Sequence, residues 1–457
     1  MRTIQFAIAF SFMVLSATAQ QNDSAMFKRI ADNVFYHSTA YDNLRFLCKQ
    51  VGPRLSGSPQ AEKSVKETYR MMKEMGADTV YLQECMVPHW VRGAKESALL
   101  VDEKGATVSL NVCALGNSVG TGKQGVKAEV IEVRSFKELD ELGEKGVKGK
   151  IVFYNFPMNP TNVETFRSYG EAGQFRGRGP SMAAKYGAVG VMVRSLASNI
   201  DDYPHTGATT YNDSFPKIPA IAVSTRHAEY VSSELKKKKG FQLYFRTECV
   251  MLADVKSHNV IAEIRGTEFP NEIITVGGHL DSWDLGEGAH DDGAGCVQSM
   301  EVIRVYKQLG IKPKRTIRVV MFMNEENGLR GGRKYAEVAT TEKNNKFIFA
   351  LESDAGGFTP RAFGFTAEES VLNKLRNWVP LFKPYGVYEF SAGGGGADIG
   401  PLRPLGTTLA GLRPDSQRYF DHHHAANDTF EMVSKRELEL GAINMVLLLY
   451  VVDQYGL

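Results

Sequence analysis

Histidine and acidic residues stand at the ends of apolar segments, or in the loops that follow them, in the second half of the chain. In chain order they are His279, Asp281, Asp291, Glu325, Glu326, Asp354 and His424. Divalent metal ions bind imidazole nitrogen and carboxylate oxygen, and zinc accepts both. A single residue of this kind is typical of a hydrogen-bonded loop. So many of them at the ends of apolar segments indicate a metal site.

The set of candidate ligands fits two zinc ions about 3.5–4 Å apart, which need one bridging carboxylate and roughly two terminal ligands each. Asp291 is the natural bridge, because it precedes a predicted helix and lies between the other candidates. Glu325 is the acid left over, and it can take a proton from water and pass it to a leaving amine. Asp281 follows His279 by two residues, so we expect its carboxylate to hold the imidazole.

The elements that position these residues alternate between strand and helix patterns. Strands are predicted at 259–264, 272–276, 316–323 and 347–352, and helices at 293–309 and 328–339. This rhythm predicts an α/β fold, with a mostly parallel sheet and helices on both faces. Because parallel strands place their carboxyl ends side by side, we expect the separated side chains to converge in one crevice.

A run of four glycines at 393–396 precedes Asp398. Its backbone N–H groups would be available near the site, so Gly395 and Asp398 are candidates for substrate binding. The alternative for the run is a flexible turn. Trp283 is open to two interpretations as well, at the rim of the site or in packing.

The first 19 residues have the features of a secretory signal peptide. Arg2 precedes an apolar stretch at 4–15 and the sequence Ala17-Thr18-Ala19. We therefore expect an exported protein, periplasmic or secreted. That stretch is too short to cross a bilayer, and no other run approaches about 20 apolar residues. With 54 basic and 52 acidic residues, and Arg2 removed, the net charge of +1 favours neither nucleic acid nor membrane as a partner.

Residues 120–249 differ from their surroundings in the pattern of predicted strands, helices and loops. Strands at 147–154, 187–193 and 218–223 and a helix at 180–186 alternate with long polar loops. His205 shows no ligand spacing and is predicted to be a polar loop residue. We interpret the segment as a small inserted α/β domain that divides the catalytic domain into 20–119 and 250–457. The five cysteines lie far apart, which argues against a thiolate zinc site and leaves one disulfide possible.

The sequence resembles the co-catalytic di-zinc exopeptidase family that includes aminopeptidases and carboxypeptidase Q. The resemblance is carried by Gly277–Asp284, by Asp291-Asp292-Gly293 and by Val87–Gly93, and it extends over most of the mature chain. It implies a zinc exopeptidase fold of the phosphorylase/hydrolase-like type. It also implies that 120–249 is a protease-associated domain, α/β or β-rich, and it suggests a possible homodimer.

The resemblance also implies a role for each residue of the site. One zinc would be bound by His279, Asp291 and Asp354, and the other by Asp291, Glu326 and His424, with Glu325 as general base. A cis peptide bond is implied between Asp291 and Asp292. His424 is preferred to its histidine neighbours because it stands four residues before Asp428. His423 departs from the family pattern, since several relatives carry Tyr there, and it is a further candidate for substrate binding.

Together these features predict an exported di-zinc metallo-exopeptidase that hydrolyses dipeptides or short peptides with a free amino terminus. Dipeptidase, aminopeptidase and carboxypeptidase activity remain alternatives. One rival function is that of a glutaminyl-cyclase-like acyltransferase, which would use a single zinc on a similar fold. The other is a non-catalytic binding ectodomain on the same scaffold, which would lack metal ligands.

Overall fold

The computed structural model describes residues 22–457, so the predicted signal peptide lies outside the described residues. The chain forms two eight-stranded sheets. The strands are β1 Thr79–Val91, β2 Ser97–Val101, β3 Thr107–Ser109, β4 Val112–Ala114, β5 Val126–Val133, β6 Ile151–Tyr154, β7 Gly190–Arg194, β8 Ala220–Val223, β9 Gln242–Arg246, β10 Val250–Ile264, β11 Phe269–His279, β12 Arg315–Phe322, β13 Lys346–Glu352, β14 Pro360–Thr366, β15 Glu389–Ala392 and β16 Thr408–Pro414. The helices are α1 22–37, α2 Ala40–Phe46, α3 Pro59–Glu74, α4 Phe136–Val147, α5 Thr165–Gly177, α6 Gly179–Ala184, α7 Thr225–Lys237, α8 Ala294–Leu309, α9 Arg330–Thr341, α10 Glu369–Arg376, α11 Val379–Phe382 and α12 Lys435–Tyr455.

The first sheet has the strand order β1-β10-β12-β11-β13-β16-β14-β15. Its centre, β12-β11-β13-β16, is parallel, as the strand and helix rhythm predicts. Strands β1 and β10 at one edge and the β14–β16 pairing near the other are antiparallel, so the sheet as a whole is mixed. The direction of an edge strand depends on the path of the chain around the sheet, which the hydrophobic pattern does not encode.

Both faces of the first sheet are covered by helices, which confirms the predicted fold class. In β12, Ile317, Val319 and Met321 pack with α8 and α12 on one face. Val320 and Phe322 alternate with them and pack against α9 on the other face. Because side chains alternate along a strand, a strand covered on both faces is apolar throughout.

Helix α12 is the core helix of the first domain. Among residues 22–457 it is the one helix with the length and composition of a membrane span, and 78% of its apolar window is buried inside the protein. Its side chains fill the layer beneath the sheet, where Leu438, Ile443 and Leu447 are fully buried. Packing against α8 therefore accounts for its apolar character.

The second sheet, of order β3-β2-β9-β5-β6-β7-β8-β4, forms the second domain. It extends from Ser97 to Arg246, so the predicted boundary at residue 120 is wrong: it would cut β2 and β4 from their partners β9 and β8, and would separate β3, which pairs with β2, from the rest of the sheet. These three strands are very short and carry little pattern of their own. The domain is α/β with separate hydrophobic cores on its two faces. Its assignment as a protease-associated domain stays a prediction.

Two helices of the second domain lie where the sequence predicts other structure. Helix α4 extends to Val147, so the strand predicted from that residue begins at Ile151. Helix α5 lies in a segment that the sequence predicts to be a polar loop. The pattern does not indicate a helix there, because the buried residues of α5 are mostly small or polar: Thr165, Ser168, Ala172 and Phe175. All five cysteines are buried and free, so the possible disulfide is not formed.

The substitution Leu447→Ala tests the role of α12. We expect the free energy of unfolding to fall by about 3 kcal/mol, because a fully buried leucine leaves a cavity when truncated. Leu440→Ala on the same helix removes a partly exposed side chain and should cost clearly less. Chemical denaturation measures both values, and equal losses would contradict the assignment of α12 as the core helix.

Candidate active site

The predicted ligands meet at the carboxyl ends of three adjacent parallel strands. His279 is the last residue of β11, Glu325 and Glu326 follow β12, and Asp354 follows β13. Strand β11 pairs with β12 on one side and with β13 on the other. The register therefore places these side chains at one edge of the sheet. Asp291 enters from the turn Ala289–Gly293 that leads into α8, where its own backbone angles are non-helical.

Asp291 lies between two imidazoles. Its Oδ1 is 3.1 Å from His279 Nε2, which is also 3.5 Å from Asp354 Oδ1. Its Oδ2 is 3.2 Å from His424 Nε2, which in turn is 3.1 Å from Glu326 Oε2. The structure thus brings all five predicted ligands together in two groups that share one carboxylate.

The residues present fit bound cations. Two sets of donor atoms, each lying within 4.8 Å of one another, include Asp291: one adds His279 and Asp354, the other His423 and His424. A cavity of about 10 Å³, lined by Asp291, Glu326 and His424, has room for one small species. Asp291 Oδ2 is buried and accepts no hydrogen bond from the described residues. A buried anionic oxygen of this kind is matched by a positive ion.

The site carries an excess of acidic groups. Burial raises the pKa of Glu326 to about 7, with the charge of Asp291 as the next cause. Burial also raises the pKa of Glu325 well above its ordinary value, and the charges of Asp354 and Glu326 add to the rise. For Asp291, burial acts in the same direction, but the imidazoles on either side hold its pKa well below the usual value. A bound cation would relieve the repulsion among these carboxylates.

Arg54 fixes the loop that joins the ligands of β11 and α8. This fully buried side chain donates hydrogen bonds to three backbone carbonyls, Leu280 at 2.6 Å, Glu287 at 2.7 Å and Gly288 at 2.9 Å. The sequence pattern indicates only a break between two helices at this point. The contacts are to backbone atoms more than 200 positions away, which leave no signal in a single sequence.

Asp292 ties the end of β11 to the start of α8. Its carboxylate accepts hydrogen bonds from the backbone N–H groups of His279 and Gly295, both at 3.0 Å. A Cβ on Gly278 would lie 2.3 Å from that carboxylate, and one on Gly295 would lie 1.9 Å from Ser353 O, so both positions require glycine. The peptide bond between Asp291 and Asp292 is cis, as the resemblance implies.

Asp281 acts differently from the sequence-based expectation. Its carboxylate oxygen is 3.9 Å from His279 Nδ1, and the contact at 3.0 Å is made by its backbone carbonyl instead. The carboxylate accepts hydrogen bonds from the backbone N–H groups of Glu325 and Glu326, at 3.0 and 3.4 Å. The chain turns after His279, so the side chain points towards β12. Asp281 therefore positions the two glutamates with its side chain and the histidine with its backbone.

The second domain contacts the site through a buried loop. Thr206 N donates to His424 O at 3.0 Å, and Thr206 O lies 3.3 Å from His424 Nδ1. His205 Nδ1 is 2.7 Å from His423 O. The sequence predicts a polar loop at His205, but the residue is almost fully buried against the first domain. Neither residue has ligand spacing, so their role depends on how the two domains pack.

The three predicted substrate-binding residues lie in different surroundings. Asp398 is fully buried, so the structure does not place its side chain on a surface that a substrate reaches. Gly395 lines a groove of about 860 Å³ that also contains Asp354. His423 Nε2 is 3.6 Å from Asp291 Oδ2, which places it among the donor atoms of the site. A glycine run near a sheet end predicts a loop but does not show which side chain is exposed.

Trp283 and Asp284 connect the two domains. The Trp283 ring is buried against Trp90 and lies 5.8 Å from the His424 ring, so it packs inside the protein and also borders the small cavity of the site. Asp284 accepts two hydrogen bonds from Arg92, at 2.6 and 2.8 Å. The bidentate pair anchors the start of the second domain beside the site.

Comparisons with known proteins identify relatives of this chain. Residues 259–449 match the profile of peptidase family M28. Carboxypeptidase Q of Mus musculus is 34% identical over 417 residues, which cover 91% of this chain and 86% of that protein. The crystal structure of a peptidase M28 precursor from Shewanella amazonensis is 31% identical with a TM-score of 0.90, covering 95% of this chain and 97% of that one. A zinc aminopeptidase of Bacillus subtilis shares the fold, with a TM-score of 0.64 and 19% identity over 90% of this chain and 94% of that one.

The α/β fold, the convergent donor groups and these relatives define a metallo-exopeptidase. The chain belongs to peptidase family M28.

Arg54→Met tests whether the buried guanidinium holds the loop of the site. We expect the free energy of unfolding to fall by about 3 kcal/mol, because the backbone carbonyls lose their donors inside the protein. Weaker metal binding should accompany the loss. Arg70→Met on the surface of α3 is the control and should stay within about 0.5 kcal/mol of the wild type. Unchanged stability and metal content in Arg54→Met would refute this role.

Proposed function

We propose that the protein is an exported di-zinc exopeptidase that hydrolyses dipeptides and short peptides with a free amino terminus. The observation that carries the proposal is the position of Asp291 between two groups of nitrogen and oxygen donors. A shared carboxylate with terminal ligands on each side is the arrangement of a two-metal site. Export rests on the predicted signal peptide, and homodimer formation stays a prediction.

In the proposed site each ion has its own set of side chains. The first would be held by His279, Asp291 and Asp354, and the second by Asp291, Glu326 and His424. When bound, the ions supply Lewis acidity, which polarises a peptide carbonyl and lowers the pKa of water. Metal binding requires the deprotonated forms of these side chains, which are neutral imidazoles and ionised carboxylates.

Glu325 is the proposed general base. Its backbone N–H donates to the Asp281 carboxylate at 3.0 Å, and its side chain is partly exposed. As water adds to the carbonyl carbon, its proton moves to the Glu325 carboxylate. The same proton then passes to the amine nitrogen as the C–N bond breaks. Asp281 supports this step by fixing the position of the base.

The groove at Asp354 is the proposed entrance for the peptide. It is lined by residues of both domains, among them Phe166 of α5 and Gly395 and Leu412 of the first domain. A volume of about 860 Å³ lies within the range of small-ligand sites. Short peptides therefore fit, and the enclosing second domain disfavours folded proteins as substrates.

Glu325→Gln separates proton transfer from metal binding. We expect kcat/KM on a dipeptide to fall by about 10³, since the amide cannot accept the proton, while two metal ions per chain remain bound. Glu337→Gln, an exposed glutamate of α9, should retain wild-type activity. Steady-state kinetics and elemental analysis decide the matter: a variant with both metals and full rate would remove Glu325 from the mechanism.

Metal removal tests the number of ions. Treatment with a chelator should lower the Tm and abolish activity, because the clustered carboxylates lose their counter-charge, and Zn²⁺ should restore both. An ion present at 1,000 times its Kd stabilises the folded state by about 4 kcal/mol. Asp291→Asn should lose both ions and Asp354→Asn chiefly one. One zinc per wild-type chain, together with pyroglutamate formation, would favour the acyltransferase alternative.

A further inference from the structure

Arg176, near the end of α5, extends from the second domain to the proposed metal site. Its Nη1 lies 3.4 Å from His424 Nδ1, and its Nη2 donates to the Tyr169 hydroxyl at 2.5 Å. Its Cζ is 5.1 Å from the centre of the Tyr169 ring. That ring in turn packs edge-on against His423 at 4.9 Å. The guanidinium thus stands beside two histidines of the site.

The guanidinium has no carboxylate partner in the part of the chain that the structure describes. No acidic oxygen within residues 22–457 lies within 4 Å of it, and its buried Nε makes no hydrogen bond. Tyr169 offers only a neutral hydroxyl. Burying a guanidinium N–H group is costly unless an acceptor receives its hydrogen bond. Arg92, Arg304 and Arg318 pair with acids, and the fully buried Arg54 donates to three backbone carbonyls, whereas Arg176 contacts neither kind of acceptor among the described residues.

The immediate surroundings of Arg176 supply no negative charge. The guanidinium lies against Gly207, and the nearby His205 side chain is an imidazole, which carries no negative charge in either protonation state. The carboxylates near His424 contact its Nε2 nitrogen, whereas Arg176 faces its Nδ1 nitrogen. Cations bound by those carboxylates would add further positive charge. The partly exposed guanidinium is therefore available to an anion from outside the chain.

We propose that Arg176 binds the C-terminal carboxylate of a dipeptide substrate. The inference rests on the proposed function, because it assumes that a peptide bond is hydrolysed at the neighbouring donor groups. In a dipeptide the carboxylate is one residue, about 3.6 Å, from the scissile bond, and each added residue moves it the same distance further. A planar guanidinium receives a carboxylate through two parallel hydrogen bonds. Arg176 is thus a specificity residue, and through it the second domain recognises the C-terminus of the substrate.

The test compares one dipeptide with its C-terminal amide, on the wild type and on Arg176→Gln. The wild type should prefer the acid. The variant should lose about 10- to 100-fold in kcat/KM on the acid, chiefly through KM, and no more than about threefold on the amide, because only the acid offers the charge. Arg178→Gln, an exposed arginine two residues further on, is the control and should match the wild type on both substrates.

The possible outcomes separate the two proposals. Equal losses on acid and amide would mean that Arg176 only supports Tyr169, and unchanged kinetics would mean that it contacts no substrate; either result overturns the inference. If Arg176→Gln does not fold, the wild type alone still tests the inference, because equal kcat/KM values on the acid and on the amide would contradict it. A zinc-loaded wild type that hydrolyses no peptide would instead overturn the proposed function itself.

Discussion

The structure of the site depends on the placement of one buried carboxylate, Asp291, between the imidazoles of His279 and His424. An ionised carboxylate with little exposure is unfavourable unless it is surrounded by donors or cations. The fold supplies these from separate directions. Asp428 accepts hydrogen bonds from the backbone N–H groups of His290 and Asp291, which orients the turn that carries the carboxylate. The two imidazoles come from the end of β11 and from a loop beyond β16.

Further buried polar contacts to the loops around the site hold this carboxylate in place. Arg54, Asp281 and Asp292 each bind backbone groups of the loops rather than the ligands' side chains. Buried charged groups that satisfy backbone donors and acceptors make a rigid network when every member is paired. The ligand atoms themselves contact one another, and among the described residues Asp291 Oδ2 accepts no hydrogen bond. A rigid frame around under-satisfied donor atoms is the physical description of a preorganised metal site.

The sequence predicts the part of this arrangement that is local. Apolar strands followed by His279, by Glu325 and Glu326, or by Asp354 locate the ligands, because strand ends are visible in the hydrophobic pattern. The pattern does not reveal contacts between distant segments, such as Arg54 with the 280–288 loop. It also fails where an element lacks apolar residues: α5 carries three glycines and buries mainly small or polar side chains. The predicted edge of the second domain is wrong for a related reason, since β3 and β4 have three residues each.

The packing of the second domain shows why it belongs to the active site rather than beside it. His205 and Thr206 bind the backbone carbonyls of His423 and His424, and Thr206 O meets the ring of His424. His424 has a positive φ of 65°, a conformation that costs energy for a residue with a side chain and persists only where its surroundings impose it. Those surroundings come partly from the second domain. The orientation of a proposed ligand in one domain is therefore determined by backbone contacts from the other, so the two domains form a single functional unit.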